Sequence, residues 1–412
     1  MRILIVDDSI EKIRRLVEHL TNACGLDRER DILVAQCAYE ARKILEKESV
    51  DLVLLDILLP MRPEDTPSQQ TSVALLKEIT ERKTLKRPKQ IVGLTAYKDI
   101  VKEVGPYFSE RQWSLVTYDR SSDEWLQRIE ACVLYMKESE AQRVRAAYGV
   151  DLCVVTALHE PEAAAIVRMG WNWEPAQPLD DTAFIRRATF MSEGQRFTAA
   201  LVVAMRMGMV ETALVSAKAI ERLRPRFLAM AGICAGVRNK ANIGDVILAD
   251  PSWDYQSGKR ARDKENTQFS IDPHQIAVSS FVRAHAEQLR NDHIELSNIR
   301  RGWPKPPDTE LKVIIGPVAS GSAVLADGQV VSEIREQQRK LIGVEMEIYG
   351  MYAAAARASF PRPTAFALKA VCDFADSDKG DEHQDYAAYT SAHVLRLFVE
   401  RYMASIAMLA GT

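Results

Sequence analysis

Across the first 140 residues, short runs that are apolar at nearly every position (residues 2–6, 32–35, 51–55, 91–94 and 115–117) are separated by longer stretches with helical spacing. Strands apolar on both faces belong to a parallel sheet with helices on each side, so this pattern predicts a doubly wound α/β unit. Its last helix, residues 123–137, runs into the polar stretch 138–145, which has no apolar face wide enough for a core. A linker is therefore placed at residues 141–150. Strand-like runs resume at Asp151 with LCVVTAL and recur at residues 184–190, 199–204, 227–230, 246–249, 313–315 and 365–370. Between them, Val210, Ala213, Leu214, Ala217 and Ile220 follow Gly208 at three-to-four spacing, which predicts a helix packed on the sheet through that stripe. Residues 254–307 contain KRARDK and WPKPP and read as an excursion from the sheet. The plan is a unit over residues 1–140, the linker, and a second α/β unit over 151–412.

Length and composition agree with this plan. At about 150 residues per domain, 412 residues are too many for one core. The 54 Lys+Arg against 57 Asp+Glu leave a net charge of −3, and 47% hydrophobic with 27% charged residues excludes a disordered or collagen-like chain. No basic field exists, so nucleic acid is not an expected partner. No stretch approaches the roughly 18 apolar residues of a membrane span, and MRILIVDD lacks the regions of a signal peptide. Six cysteines without a CxxC pair argue against a zinc site or a disulfide framework. A cytoplasmic protein without membrane association is expected.

Chemistry concentrates at strand ends. Asp7 and Asp8 follow the first strand and Asp56 the third, positions that converge at the switch point of a doubly wound sheet. Three carboxylates there call for a hard cation such as Mg²⁺. Thr95 ends the fourth strand in GLTA and can offer its hydroxyl to an oxyanion. LIVDDS, LLDILLP and GLTA, in this order and spacing, resemble a response-regulator receiver domain over residues 1–140. The resemblance implies that Asp7 and Asp8, with Asp56, hold Mg²⁺. Asp56 would accept a phosphoryl group from a sensor histidine kinase, and Thr95 would move to bond it. The family usually has a lysine at the end of the fifth strand, whereas this chain reads LVTYDRSS, with Tyr118 at that place. Two outcomes stay open: Arg120 substitutes for the lysine, or the switch is weaker.

The second unit carries four further signals. MAGICAGV (residues 230–237) places Gly232 and Gly236 where a backbone approaches a ligand closely. GDVILAD follows at 244–250. VEMEIYG sets Glu345 and Glu347 around Met346, and a carboxylate there can accept hydrogen bonds from two adjacent sugar hydroxyls. KAVCDFADSDKG puts Asp373 at the end of a buried strand, where desolvation favours the protonated acid and makes it a proton donor.

GICAG, GDV, VEME and CDFAD, in this order, resemble the nucleoside phosphorylase and nucleosidase superfamily, most closely methylthioadenosine/S-adenosylhomocysteine nucleosidases, over residues 151–410. The resemblance implies a three-layer α/β nucleoside phosphorylase-like fold, a dimer or larger assembly, and cleavage of the bond between a purine and C1′ of ribose. It implies that Asp373 protonates the purine N7, that Glu347 and Met346 hold the ribose, and that Gly208 and Gly232 lie against the sugar or its 5′ substituent.

Hydrolysis needs a carboxylate to orient water, and TALHEPEAAAIV offers Glu160 and Glu162. The AAAIV after Glu162 favours it, while Glu160 stays open. Ile233 and Cys234 do not resemble a phosphate-ion site, so water is the expected nucleophile. Arg196, Lys259, Arg260, Arg262 and Lys379 are candidates to grip a triphosphate through charge-assisted bonds, although charge runs in polar segments usually face solvent. A receiver joined to a nucleosidase-like domain resembles the effector of the anti-phage defence system called Detocs. That resemblance implies ATP or a related adenine nucleotide as substrate, adenine and ribose 5-triphosphate as products, and release of activity on phosphorylation of Asp56.

Overall fold

The computed structural model describes the chain except residues 83, 264–265, 273, 326–327, 377–379 and 410–412; the side chains of 98, 141, 144–145, 260, 262–263, 266–268 and 328 also lie outside the description. The chain divides into two compact units, Met1–Arg143 and Val144–Thr412. Among the described residues, no helix is long and apolar enough to cross a membrane.

In the first unit, β1 (Ile3–Val6), β2 (Ile32–Ala35), β3 (Leu52–Asp56), β4 (Gln90–Thr95) and β5 (Ser114–Thr117) form a sheet in the order β2-β1-β3-β4-β5. All its pairings are parallel. Alternation along each strand builds two cores. Ile3, Ile5, Leu52, Leu54, Val92 and Leu94 pack with Leu16 and Leu20 of the first helix (Ile10–Cys24) and with Trp125, Ile129 and Val133 of the helix Glu124–Ala147. Leu4, Val6, Val53, Leu55 and Ile91 pack on the other face with Leu45, Leu75, Leu76, Ile79 and Phe108. Full burial of each such side chain is worth about 1.5–3 kcal/mol. The first helix starts at Ser9, whose hydroxyl accepts from the Lys12 N–H, and ends at Gly25, whose φ of 59° suits a residue without a Cβ.

In the second unit, β6 (Val150–Thr156), β7 (Gln177–Pro178), β8 (Phe184–Ser192), β9 (Gln195–Val203), β10 (Pro225–Gly236), β11 (Val246–Asp254), β14 (Gln275–Ile276), β15 (Val313–Ser320), β16 (Gly343–Glu345) and β17 (Thr364–Asp373) make one mixed sheet. β12 (Gly258–Asp263) and β13 (Asn266–Ile271) pair as a separate hairpin. β17 bonds to both β10 and β11, and β11 returns through β15 and β16 to β10, so these five strands close a ring. One core packs the long helix Gln384–Leu409 and the helices Ser280–Arg290 and His293–Arg301 on the sheet. The opposite core packs the helices Met209–Leu223 and Ile348–Ala356, which makes three layers. Phe190, an aromatic residue of the kind that could stack on a base, is buried in the first of these cores, and Trp253 and Tyr255 are buried in a smaller cluster with Val237, Ala319, Ile334 and Leu341.

Three features differ from the sequence reading. Residues 141–147 of the stretch set aside as a linker are helical, within Glu124–Ala147. The segment 254–307 is no excursion throughout, because β14 joins the sheet edge at β11 and Val282, Ala286, Leu289 and Leu296 enter the core. The helix Met209–Leu223 buries Thr212, Val215, Ser216, Ala219, Ile220 and Leu223, so Ile220 of the expected stripe is buried whereas Val210 and Leu214 are exposed. The small side chains of Thr212 and Ser216 lie on the packed face, and a purely apolar criterion passes over them in favour of Val210 and Leu214.

Truncating Leu54, fully buried in β3, to alanine should cost about 2–5 kcal/mol. Hydrogen exchange should show protection lost at the amides of β1 and β3; unchanged protection there would contradict this packing.

Candidate active site

The first unit gathers charge at the carboxyl ends of its strands. Asp7 follows β1 and Asp56 closes β3. Oxygen atoms of Asp7, Asp8 and Asp56 lie within 4.8 Å of one another, a donor set that could hold a hard divalent cation. A resident cation is already supplied by the chain: Lys12 Nζ lies 2.7 Å from Asp7 Oδ2 and 2.8 Å from Asp56 Oδ2. Burial, opposed by Lys12 and helped by Asp56, pushes the Asp7 carboxyl up to about 6. Burial and the neighbouring Asp56 raise Asp8 as well. Lys12 is desolvated, yet the two carboxylates hold its ammonium above the usual lysine range. Thr95, at the end of β4, is buried and its hydroxyl accepts from the Tyr97 N–H. Arg120 does not enter the cluster; it is largely exposed and pairs with Glu11. Lys12 went unread in the sequence, although Lys12, Leu16, Leu20 and Cys24 share one buried face at four-residue spacing. A lysine heading an apolar stripe is the signal that would have found it.

In the second unit the site forms where β6, β10, β16 and β17 end. The chain turns after β6, and Glu162 folds back so that Oε2 accepts from the N–H groups of Ala157 (2.8 Å) and Leu158 (2.9 Å), while Oε1 accepts from Ile233 N–H (2.9 Å). Gly232 permits this contact, because a Cβ there would stand 2.1 Å from Glu162 Oε1. Its N–H donates to Ser391 Oγ at 2.9 Å. Gly232 therefore makes room for Glu162, where the sequence reading laid it against the sugar. Glu160 lies apart, with its side chain largely exposed and 3.8 Å from Arg168. Of the two glutamates, only Glu162 faces the cavity described below.

Lys369 is buried in β17 and ties two more carboxylates together, its Nζ 2.6 Å from Glu347 Oε2 and 3.0 Å from Glu345 Oε2. Glu345 is satisfied by Ser320 Oγ and by the N–H groups of Glu347 and Ile348. Glu347 Oε1 accepts from Gly208 N–H at 2.9 Å. Gly208 has a φ of 115°, which an L side chain rarely adopts, so this contact requires glycine. Burial raises Glu162, with Glu347 adding to it and Lys369 opposing it. Burial also raises Glu345 against the pull of Lys369. For Glu347 burial is outweighed by the Lys369 charge and hydrogen bond, which hold its carboxyl below the usual range. Lys369 stays charged for the same reason, pushed well above the usual lysine range despite desolvation.

These groups face one cavity of about 320 Å³, lined by Glu162, Met346, Glu347 and Asp373 together with Met207, Ile233, Cys234 and the segment Ala323–Leu325. Asp373 closes β17; its Oδ1 accepts from Ala375 N–H at 2.8 Å, and it is 8% exposed, so a bound molecule can reach it. A cavity of this size can enclose a small molecule, and the three carboxyl groups of Glu162, Glu347 and Asp373 offer it hydrogen-bond acceptors and acid–base groups. Two of the candidate phosphate ligands do not join the cavity. Arg196, beside the β8–β9 turn, and Lys259, on β12, are exposed and absent from the lining. Lys379 and the side chains of Arg260 and Arg262 lie outside the described residues. Among the described residues, the lining contains no lysine or arginine.

The pattern of the phosphorylase superfamily matches residues 151–403, which span every strand and side chain of this site. The chain belongs to the phosphorylase superfamily. An uncharacterised protein, y4jS, of Sinorhizobium fredii is 31% identical and covers 97% of this chain and 99% of its own length. An ATP nucleosidase, Cap17, of Escherichia coli is 25% identical over 45% of this chain, a match covering 38% of that protein. A 5′-methylthioadenosine/S-adenosylhomocysteine nucleosidase of Bacillus licheniformis is 24% identical over 47% of this chain and 78% of its own length. Within the superfamily match, Lys369 and Ser391 are residues that motif reading passed over. A lysine inside the strand KAVCD, four residues before an acid, is the signal that marks the first.

Replacing Lys369 with methionine leaves two buried carboxylates without their cation and should cost about 3–5 kcal/mol, read as a lowered urea midpoint. Adding Glu345→Gln should recover part of the loss; a neutral Lys369→Met would contradict the ion pairing.

Proposed function

We propose that the second unit is a nucleosidase that hydrolyses the N-glycosidic bond of ATP or a related adenine nucleotide to adenine and ribose 5-triphosphate. The observation that carries hydrolysis is the convergence of Glu162, Glu347 and Asp373 on one cavity. In this scheme Asp373 gives a proton to N7, the C1′–N9 bond breaks with its electron pair going to the base, and water held by Glu162 adds to C1′. The water's proton passes to Glu162. Glu347 keeps free lone pairs on both oxygens for the ribose diol, since each oxygen accepts one bond from the protein. The adenine nucleotide class is supported by the likeness to Cap17.

The first unit, in this reading, is a receiver that takes a phosphoryl group on Asp56 from a sensor histidine kinase and releases the activity, as an anti-phage effector would require. Its sheet order and the carboxylates Asp7, Asp8 and Asp56 support it. Those three would hold Mg²⁺, which when bound would neutralise charge on the transferring phosphoryl oxygens. Assembly as a homo-oligomer belongs to the same reading, and Met207, Val210 and Leu214 give the second unit an exposed apolar face suited to it.

One observation favours a second substrate class. A cavity lined without described cations suits a nucleoside with a neutral 5′ group, such as methylthioadenosine, which the Bacillus relative's name also carries. Chromatography of purine released from ATP, AMP and methylthioadenosine separates the two readings. Adenine from ATP is the expected result, and release from methylthioadenosine alone would replace it. Asp373→Asn should slow release by roughly 10²–10⁴-fold; unaltered release would remove Asp373 from the mechanism.

The scheme needs ionised Glu162, and burial raises its pKa. Activity should therefore fall as pH drops through a limb above the ordinary glutamate value of about 4.3. A pH profile of kcat/KM whose acid limb sits at that ordinary value would unseat Glu162 as the group that orients water.

A further inference from the structure

Lys12 touches more than the two carboxylates it bridges. Its side chain is 4% exposed, and its Nζ lies 4.9 Å from the centre of the Tyr118 ring. Tyr118 directly follows β5. Its ring meets Trp125 edge to face, with centroids 4.8 Å apart and planes at 81°. Trp125 is 1% exposed and stands in the first turn of the helix Glu124–Ala147, whose last residues lie beyond Arg143, where the first unit ends. Arg15, one turn after Lys12, covers the same indole at 5.5 Å and pairs with Asp123. Contacts thus run unbroken from the Asp56 carboxylate to the helix that leaves the unit.

We propose that Lys12 is the counter-ion of phosphorylated Asp56, and that its departure from the Asp7–Asp56 bridge is delivered through Tyr118 and Trp125 to the helix Glu124–Ala147. The inference rests on the reading of Asp56 as phosphoacceptor. In the transfer an Asp56 carboxylate oxygen attacks the donor phosphorus. One O–P bond forms as the donor's bond to phosphorus breaks, an N–P bond in a phosphohistidine and an O–P bond in acetyl phosphate, from which acetate leaves with the electron pair. A single negative charge shared with Asp7 becomes a phosphoryl group of about two charges set farther out. The ammonium follows that charge, because Asp7 alone offers less. Lys12 lies on the first turn of its helix and under the Tyr118 ring, so it cannot move without changing what the ring rests on. Arg120 has no such contact, since it faces solvent.

The test uses the full chain with Mg²⁺ and acetyl phosphate, and reads phosphoryl incorporation by intact mass alongside tryptophan fluorescence. Incorporation should require Asp56, and the donor should change the fluorescence of the native chain. Trp125→Phe should lose that change although five other tryptophans remain. Lys12→Met should incorporate the phosphoryl group but lose the fluorescence response, and Lys12→Arg should restore it. Tyr118→Leu leaves every charge of the cluster in place and should also incorporate without responding, which decides the matter if Lys12→Met does not fold. Native-size responses in Lys12→Met or Tyr118→Leu would overturn the relay and leave the phosphoacceptor reading standing. A folded Lys12→Met chain that takes no phosphoryl group would also overturn it, by placing Lys12 in the transfer. Incorporation absent from the native chain, or persisting in Asp56→Asn, would overturn both.

Discussion

The buried ammonium of Lys369 is the constraint around which the second unit's cavity is organised. Glu345 and Glu347 sit almost wholly inside the protein, where two bare carboxylates repel each other and lose their hydration. Lys369 reaches both, and the closed ring of strands makes this possible by bringing β16 and β17 to the same end of β10. The division of labour between the two glutamates follows. Glu345 is saturated by Ser320, by backbone N–H groups and by Lys369, so it serves as a strut. Glu347 takes one bond on each oxygen and keeps acceptor capacity toward the cavity.

The first unit solves a related problem with the same kind of part. Asp7 and Asp56 converge because strands β1 and β3 are adjacent and parallel, and Lys12 spans them from the first helix. A lysine on a helix is tied to that helix's packing in a way a strand-end lysine is not. Leu16 and Leu20, its neighbours along the buried face, anchor the helix in the core.

How much of this was legible follows from how local each signal is. Strand positions, the acidic strand ends Asp7 and Asp56, and the cavity-lining candidates Glu347 and Asp373 could be read because each sits where an apolar run stops. The choice of Glu162 over Glu160 could not be made from spacing alone. It depends on Ile233 N–H and on the space beside Gly232, contacts more than sixty residues away in sequence. Lys12 and Lys369 escaped because a lysine is read as solvated by default, and only the burial of its surroundings reverses that. Part of the stripe of the helix Met209–Leu223 was misread for the converse reason, since Thr212 and Ser216 are polar by type yet small enough to bury, while Ile220 is buried as expected.

The same charges that shape the cavity bear on what can attack within it. Glu162, Glu345, Glu347, Asp373 and Asp381 all line it, and Lys369 already answers for two of them. In the proposed scheme an anionic nucleophile such as phosphate would have to approach C1′ past the Glu162 carboxylate. At about 4 Å that encounter costs roughly 1 kcal/mol in a wet setting and about 4 kcal/mol at the effective dielectric of a protein surface. Water carries no such penalty and can donate a hydrogen bond to the carboxylate that repels phosphate. Glu162 accepts three backbone N–H bonds, an arrangement that fixes its position without neutralising it. On the proposed role of Glu162, the geometry that holds the carboxylate in place thereby favours water over phosphate, whichever 5′ group the substrate carries.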